Sequence, residues 1–369
     1  MKQFIITVIL LACLAPLLNG QTTWHVATNG IDTNTGLDWS SPYLTISQAV
    51  QKATSGDMIL VSNGVYETSN HIAFYNAVHL HSVNGPEVTT VSGAGNHRIF
   101  QIVAGQEASI SGFTITNGYT TGNQVGAGLH IGAGVVSNCV ITGNINSGNG
   151  GGVYLGDGLI THCRIYGNSG STGGGIYSLG GRVSHCHFEQ NTGNYGSGIA
   201  LLNDAVGLYD SVLSYNQASG GGGGIYINNS TSMVYNCQVY SNTVTGIRGG
   251  GIYVNNSAAL LENIAVFGNR TESDDGINYN GGGGIWCSAP SGKKVVIRNA
   301  LIYNNYSHES GGGIFSYNSS MIESSTIVSN YAAFNSGKIY GGGGGIGMYN
   351  QTSSTNMVRN CIIQFNACA

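Results

Sequence analysis

The chain has 369 residues, 60 of them glycine, and a formal net charge of −4. Only four prolines accompany the glycines and no Gly-X-Y period runs through them, which excludes collagen. Charged side chains make up 8% against an ordinary 41% hydrophobic, so neutral Asn, Ser, Thr and Tyr carry the surface; that suits extracellular carbohydrate or self-association, and without a basic excess there is no footprint for nucleic acid.

Residues 1–20 read as a signal peptide. Lys2 supplies a positive start, Phe4 to Leu18 an apolar stretch, and Asn19-Gly20 a small-residue exit. The stretch is too short for a permanent membrane span. An alternative is lipidation: Leu10-Leu11-Ala12-Cys13 resembles a bacterial lipobox, which makes Cys13 the acylated first residue. No second apolar run of spanning length follows. The expectation is a chain that is secreted or held at the cell surface, with no transmembrane segment in its mature form.

Residues 21–57 read as an N-terminal cap. Ile46, Ala49, Val50 and Ala53 fall at helical spacing and predict a short amphipathic helix. Ser55-Gly56-Asp57 leads into Met58-Ile59-Leu60-Val61, where strand patterning begins and continues through residues 58–369.

Between residues 126 and 366 one unit recurs nine times: a glycine run, an Ile-Tyr-like pair, a gap, then an apolar residue three places before an asparagine. The closing asparagines are Asn144, Asn168, Asn191, Asn216, Asn242, Asn269, Asn305, Asn330 and Asn366, separated by 23 to 36 residues. Such a period marks a stacked solenoid, and a coil this short has no room for a helix. In the unit Gly173–Asn191, Gly173-Gly174-Gly175 permits a tight corner with positive φ. Strand alternation then points Ile176, Val183, Cys186 and Phe188 inward and Tyr177, His185, His187 and Glu189 outward. Asparagine tolerates the left-handed region, so Asn191 is expected at a bend, and its equivalents are expected to stack as an amide ladder.

Five cysteines, Cys139, Cys163, Cys186, Cys237 and Cys361, share the position five residues before the closing asparagine. They read as small apolar fillers of one interior slot; a bridge between neighbouring coils, such as Cys139 to Cys163, is sterically open. No Cys-x-x-Cys or paired Cys/His spacing suggests structural zinc.

Several stretches carry a family resemblance. Trp24-His25-Val26-Ala27 with Gly36 and Trp39, Pro42 with Thr45-Ile46-Ser47-Gln48-Ala49, Ser55-Gly56-Asp57 and Asn63-Gly64-Val65-Tyr66 match in order. Val83-Asn84-Gly85-Pro86-Glu87 and Ser111-Gly112-Phe113-Thr114-Ile115-Thr116-Asn117-Gly118 follow. Together they resemble the N-terminal region of right-handed parallel β-helix proteins of the pectate-lyase-like superfamily. The later repeats are similar to exported β-helix proteins with Gly-Gly-x-Ile and Phe-x-x-Asn motifs, including chlamydial polymorphic outer membrane proteins. Phe188-Glu189-Gln190-Asn191 is a literal match, and most copies replace the Phe by Ile, Val or Leu. The resemblance implies an all-β right-handed parallel β-helix, of roughly 11–12 coils on this period, whose helix caps the first coil. It implies no single activity, because the superfamily mixes lyases, hydrolases, epimerases and adhesins.

Chemistry is sparse. Lyases of this fold typically need a Lys or Arg base beside calcium-binding acids, and hydrolases a carboxylate pair. After the leader the lysines are Lys52, on the helix, and Lys293, Lys294 and Lys338. Acids are scattered singly except Glu272-Ser273-Asp274-Asp275, in the insertion after Asn269. That loop is a solvated acidic tip or, through Asp274 and Asp275, a calcium ligand set; no other cofactor is expected. His162 and His185 hold equivalent positions in adjacent coils, with His187 two residues on and Arg164 beside it, but no carboxylate is evident in register.

The position after the inward Ile or Val reads His130, Tyr154, Tyr177, Ala200, Tyr226, Tyr253, Trp286, Phe315 and Gly347. Tyr154, Tyr177, Tyr226, Tyr253, Trp286 and Phe315 are candidates to stack on sugar rings; the competing reading is that they stack on each other. Insertions gather between the closing asparagine and the next glycine run, and charges gather with them: Arg248, Arg270, Glu272, Asp274, Asp275, Glu309 and Lys338. A wall of such loops is often the binding edge, so a groove is expected beside it near Trp286 and Phe315. The leading reading is an exported, non-catalytic surface, adhesion or glycan-binding module. The alternative is a polysaccharide lyase or glycoside hydrolase with its catalytic groups in the wall. Only three residues follow Asn366, so the last coil is expected to show an open edge that associates end to end or continues in a longer chain.

Overall fold

The computed structural model describes residues 20–203, 207–246, 248–273, 280–333, 343–349 and 355–368. One coil shows the plan. Ile176–Ser178 forms the first face, Arg182–Ser184 the second, His187–Glu189 the third and Thr192–Tyr195 the fourth. Repeated along one axis, these faces become four sheets of 11, 13, 12 and 10 strands, whose pairings are parallel. The fourth face starts only at Tyr119–Thr120, so complete turns number about ten. That is fewer than 11–12 because the earliest coils lack this strand.

Parity sets the inside. Ile176, Val183, Cys186 and Phe188 are buried, while His185 and His187 are exposed. Phe188 pairs in register with Ile165 before it and Leu213 after it, so each inward side chain packs on the same position of its neighbours. Cys139, Cys163, Cys186 and Cys237 form no disulfide and fill the interior as expected, and Cys361, also unbridged, is half-buried. Burial pushes the Cys237 thiol up to about 12.

The asparagine ladder exists, with a different geometry from the one expected. Asn168 donates through Nδ2 to Asn191 Oδ1 at 3.1 Å and to the Ile141 carbonyl at 2.9 Å, and its backbone N–H donates to the same Asn191 oxygen. The pattern repeats from Asn144 to Asn366. These side chains are buried from Asn144 to Asn330, Asn366 is half-buried, and none takes the left-handed bend. The residue just before each does so, for example Gln190 (φ 54°), Tyr215 (φ 55°) and Ser241 (φ 52°). Turning the chain there aims the amide inward, where it satisfies corner carbonyl and N–H groups that the sheets cannot reach. The glycine runs behave as read: Gly173 has φ +66°, and a β-carbon on it would lie 2.2 Å from the Ile176 carbonyl oxygen.

The helix forms over Ile46–Lys52, with Thr45 as its N-cap accepting from the Gln48 N–H at 3.2 Å. Ile46 and Ala49 face the interior, and Lys52 is exposed. Asp57 pins this end. Burial raises its carboxyl pKa, but bonds from the Thr54 and Thr22 N–H groups and the Trp24 indole outweigh that and hold it below the usual range. Among the described residues no helix is long and apolar enough to cross a membrane.

Candidate functional site

The aromatic positions form one column on the outside of the first face. Its register runs Gln101, His130, Tyr154, Tyr177, Ala200, Tyr226, Tyr253, Trp286, Phe315, Gly347. The rings pack on each other: Tyr154–Tyr177 centroids are 5.7 Å apart at 17°, Tyr226–Tyr253 5.1 Å at 35°, and Trp286–Phe315 6.4 Å at 21°. Where Ala200 supplies no ring, Tyr195 reaches in from the fourth face and stacks on Tyr226 at 5.1 Å. Ring faces are therefore largely engaged along the axis.

Exposure divides the column. Gln101, His130, Tyr154, Tyr177 and Tyr226 are half-buried. Tyr253, Trp286 and Phe315 are 5%, 2% and 3% exposed and form a second apolar cluster outside the solenoid. Tyr317 also stacks on Trp286, at 5.8 Å. Arg248 closes the cluster, its guanidinium 4.8 Å from the Trp286 ring centre, donating to Asn280 Oδ1 at 3.0 Å and the Tyr253 hydroxyl at 3.3 Å. The surface expected to gape near Trp286 and Phe315 is thus filled by aromatic packing.

Burial keeps the column uncharged near neutral pH. It lowers the His130 pKa to about 4, helped by the positive charge of Arg98. It raises those of Tyr154, Tyr177 and Tyr253, and brings Tyr226 to about 12.

Among the described residues of the wall, Arg248 and Arg270 take separate partners. Arg270 pairs with Glu272 at 3.1 Å and lies 4.0 Å over the Tyr306 ring. Glu309 is buried, its N–H donating to the Ser307 hydroxyl. Asp274, Asp275 and Lys338 lie outside the described residues, as does Cys13. Among the described residues no group of three His, Cys, Asp or Glu side chains is placed to hold a metal ion.

Two outward columns, and one carboxylate beside a histidine pair already expected, were overlooked in the sequence. On the third face Tyr240, Phe267 and Tyr303 stack at 4.8 Å steps, within 10° of parallel. On the second face Glu262 takes a two-point bond from Arg298, at 2.8 and 2.9 Å, and Glu323 pairs with Arg359 in the next coils. At the corner between these faces His162 and His185 stack at 4.7 Å and 6°, and a carboxylate does stand in register: Asp210, 3.9 Å from His185 Nε2.

The family model for the right handed beta helix region matches residues 98–270 and 223–369. Comparison with curated proteins found no match. Among solved structures, XylC in its complex with xylose aligns with a TM-score of 0.58 at 9% identity, over 92% of this chain and 86% of that one. A rhamnogalacturonan lyase gives 0.39 at 14% identity, over 92% and 87%. Pectate lyase Pel9A gives 0.37 at 14%, over 95% and 79%. At 9% identity the likeness to XylC is one of fold.

Proposed function

The chain belongs to the right-handed β-helix family, and from that premise we propose that it is an exported, non-catalytic module that binds neutral glycan along its first face. The observation that carries this reading is the half-buried run Gln101, His130, Tyr154 and Tyr177, in register on the outer side of one sheet. Each coil offers one hydrogen-bonding side chain, at the ~4.8 Å rung spacing. None is charged near neutral pH, so the surface meets sugar hydroxyls without selecting for acidic polymers. Recognition runs through hydroxyl and imidazole edges, since the ring faces are spent on one another. A protein of this fold in complex with xylose supports the choice of ligand class.

Among the described residues the printed arginine–carboxylate pairs stand at separate places along the coils, which favours binding over cleavage. Export rests on the leader ending at Gly20, and sequencing the mature N-terminus distinguishes cleavage there from acylation at Cys13. The deciding experiment is affinity chromatography on neutral and acidic polysaccharides with the wild type and a Tyr154→Ala/Tyr177→Ala variant, the eluates also assayed for cleavage products. Retention on neutral glycans, lost in the variant, is expected. Equal retention of both proteins sinks the reading, and reducing-end release from any polymer removes the word non-catalytic.

A further inference from the structure

The first-face sheet starts one strand before Gln101, at Ile72–Phe74, where Ala73 stands in register with Gln101 and extends the same outer column. That strand is the edge of its sheet. It bonds to the next coil through the Ile72 N–H, which donates to the Ile99 carbonyl at 2.8 Å, and the Phe74 carbonyl, which accepts from the Val103 N–H at 3.2 Å. A parallel ladder alternates sides, so the Ala73 N–H and carbonyl face the opposite way. On that side stands the helix Ile46–Lys52. It precedes the second-face strand Met58–Val61 as Ile72–Phe74 precedes His79–Ser82, and so takes the first face's place in the preceding coil, in line with the column. Between helix and edge strand lies a groove of about 540 Å³, lined among others by Ser47, Gln51, Asn70, His71, Ala73 and Tyr75. Its described lining holds no carboxylate, lysine or arginine. Tyr75 is 69% exposed, and its segment is tied to the helix end: Asn76 Nδ2 donates to the Ala53 carbonyl at 3.2 Å, and the Ala77 N–H to the Ser55 hydroxyl at 3.3 Å.

We propose that this groove is a terminal subsite, which holds the end sugar of a neutral chain whose following residues lie along Gln101, His130, Tyr154 and Tyr177. The proposal rests on the glycan reading of the first face and adds an end preference to it. Along the column the rings are spent on their neighbours, whereas the exposed ring of Tyr75 keeps a face on which one pyranose can stack. Gln51, Asn70 and the Ala73 backbone supply donors and acceptors for its hydroxyls. The helix bars the chain from running on, so the groove takes an end and not an internal residue. Its volume lies within the range of about 300–1,000 Å³ usual for small-molecule sites.

The full chain is tested with cellohexaose, mannohexaose and xylohexaose, by calorimetry and by saturation-transfer NMR. Saturation strongest on one terminal sugar is expected. Tyr75→Ala changes an exposed position and keeps the fold; it weakens binding about tenfold and evens out the saturation. Tyr75→Phe retains the ring face and binds as the wild type does. Even saturation along a hexasaccharide bound to the wild type, or an affinity unchanged in Tyr75→Ala, overturns the subsite; if the Tyr154→Ala/Tyr177→Ala variant still loses binding, the first-face reading survives without it. Failure of the wild type to bind any of the three also overturns the subsite, and retention on polymers then decides the first-face reading by itself.

Discussion

The guanidinium of Arg248 covers the Trp286 ring at 4.8 Å on the outside of the solenoid, and the indole is as buried there as an interior residue. Each interior position takes one side chain, mostly aliphatic or small with an occasional ring such as Phe188, while the large rings that point outward pack by layering on neighbouring coils. Arg248 supplies the lid and ties it to Asn280 and Tyr253. Trp286→Ala is expected to cost about 3–5 kcal/mol, as for buried aromatic truncations. Arg248→Ala removes a partly desolvated cation–π contact of about 1–2 kcal/mol. Denaturant midpoints check both; a Trp286→Ala midpoint equal to wild type would show that the outer cluster contributes nothing.

The amide ladder makes a sharper demand. Asn216 Nδ2 donates to the carbonyls of Phe188 and Ser214 and to Asn242, and its oxygen accepts twice from Asn191. Asn216→Leu keeps the bulk and leaves buried N–H and C=O groups unmatched, each costing about 1–3 kcal/mol. Local rather than uniform loosening is expected, because each coil contacts only its neighbours. Amide hydrogen exchange should quicken at Asn191 first. Unchanged protection at that amide refutes the account.

How much of this was legible follows from what fixes each position. Inward residues obey strand parity and the period alone, so Ile176, Cys186 and Phe188 could be placed from the sequence. Outward packing depends on neighbouring corners: nothing near Ala200 in the chain announces that Tyr195 will fill its place. Two overlooked features did carry a signal. Tyr240, Phe267 and Tyr303 each stand two residues before a closing asparagine, but Glu189 and Ser214 interrupt that column and hid it. Asp210 stands six before Asn216, as His185 does before Asn191, and aligning on the asparagines reveals the match.

Acid should act through His130. Its folded pKa lies near 4, well below the ordinary value of 6.5, so between those limits the unfolded chain binds the proton and the folded one resists it. The stability this residue supports is complete above about pH 6.5 and drains away as pH falls toward 4. His130→Gln repeats the Gln101 side chain next in register and does not titrate. Denaturation at pH 7 and pH 4.5 is expected to show a larger loss for the wild type than for the variant. Parallel losses would place the acid sensitivity elsewhere.

The third-face stack offers a cleaner measure of ring–ring contact than the capped cluster. Phe267 sits between Tyr240 and Tyr303 with both centroids at 4.8 Å, and it has no hydroxyl to complicate the comparison. Aromatic pairs contribute about 0.5–1.5 kcal/mol beyond area burial. A double-mutant cycle between Phe267→Leu and Tyr303→Leu should return a coupling in that range. Additive effects would mean that the column is aligned by the sheet and gains nothing from stacking.

Thiol accessibility tests the register of the whole solenoid at once. Cys139, Cys163, Cys186, Cys237 and Cys287 are buried, and burial raises the thiol pKa of Cys139 well above its ordinary value and that of Cys287 to about 12. The thiolate is the reactive form, so these side chains are doubly protected, by access and by ionisation. Cys368 is exposed and Cys361 half-buried. Alkylation of the native protein followed by peptide mapping should modify Cys368 first and Cys361 more slowly. The five interior thiols should react only after denaturation, and no disulfide-linked peptide should join Cys139 to Cys163. A one-residue slip in any coil would turn its cysteine outward, so early labelling of Cys163 or Cys186 would refute the register on which the outer columns depend.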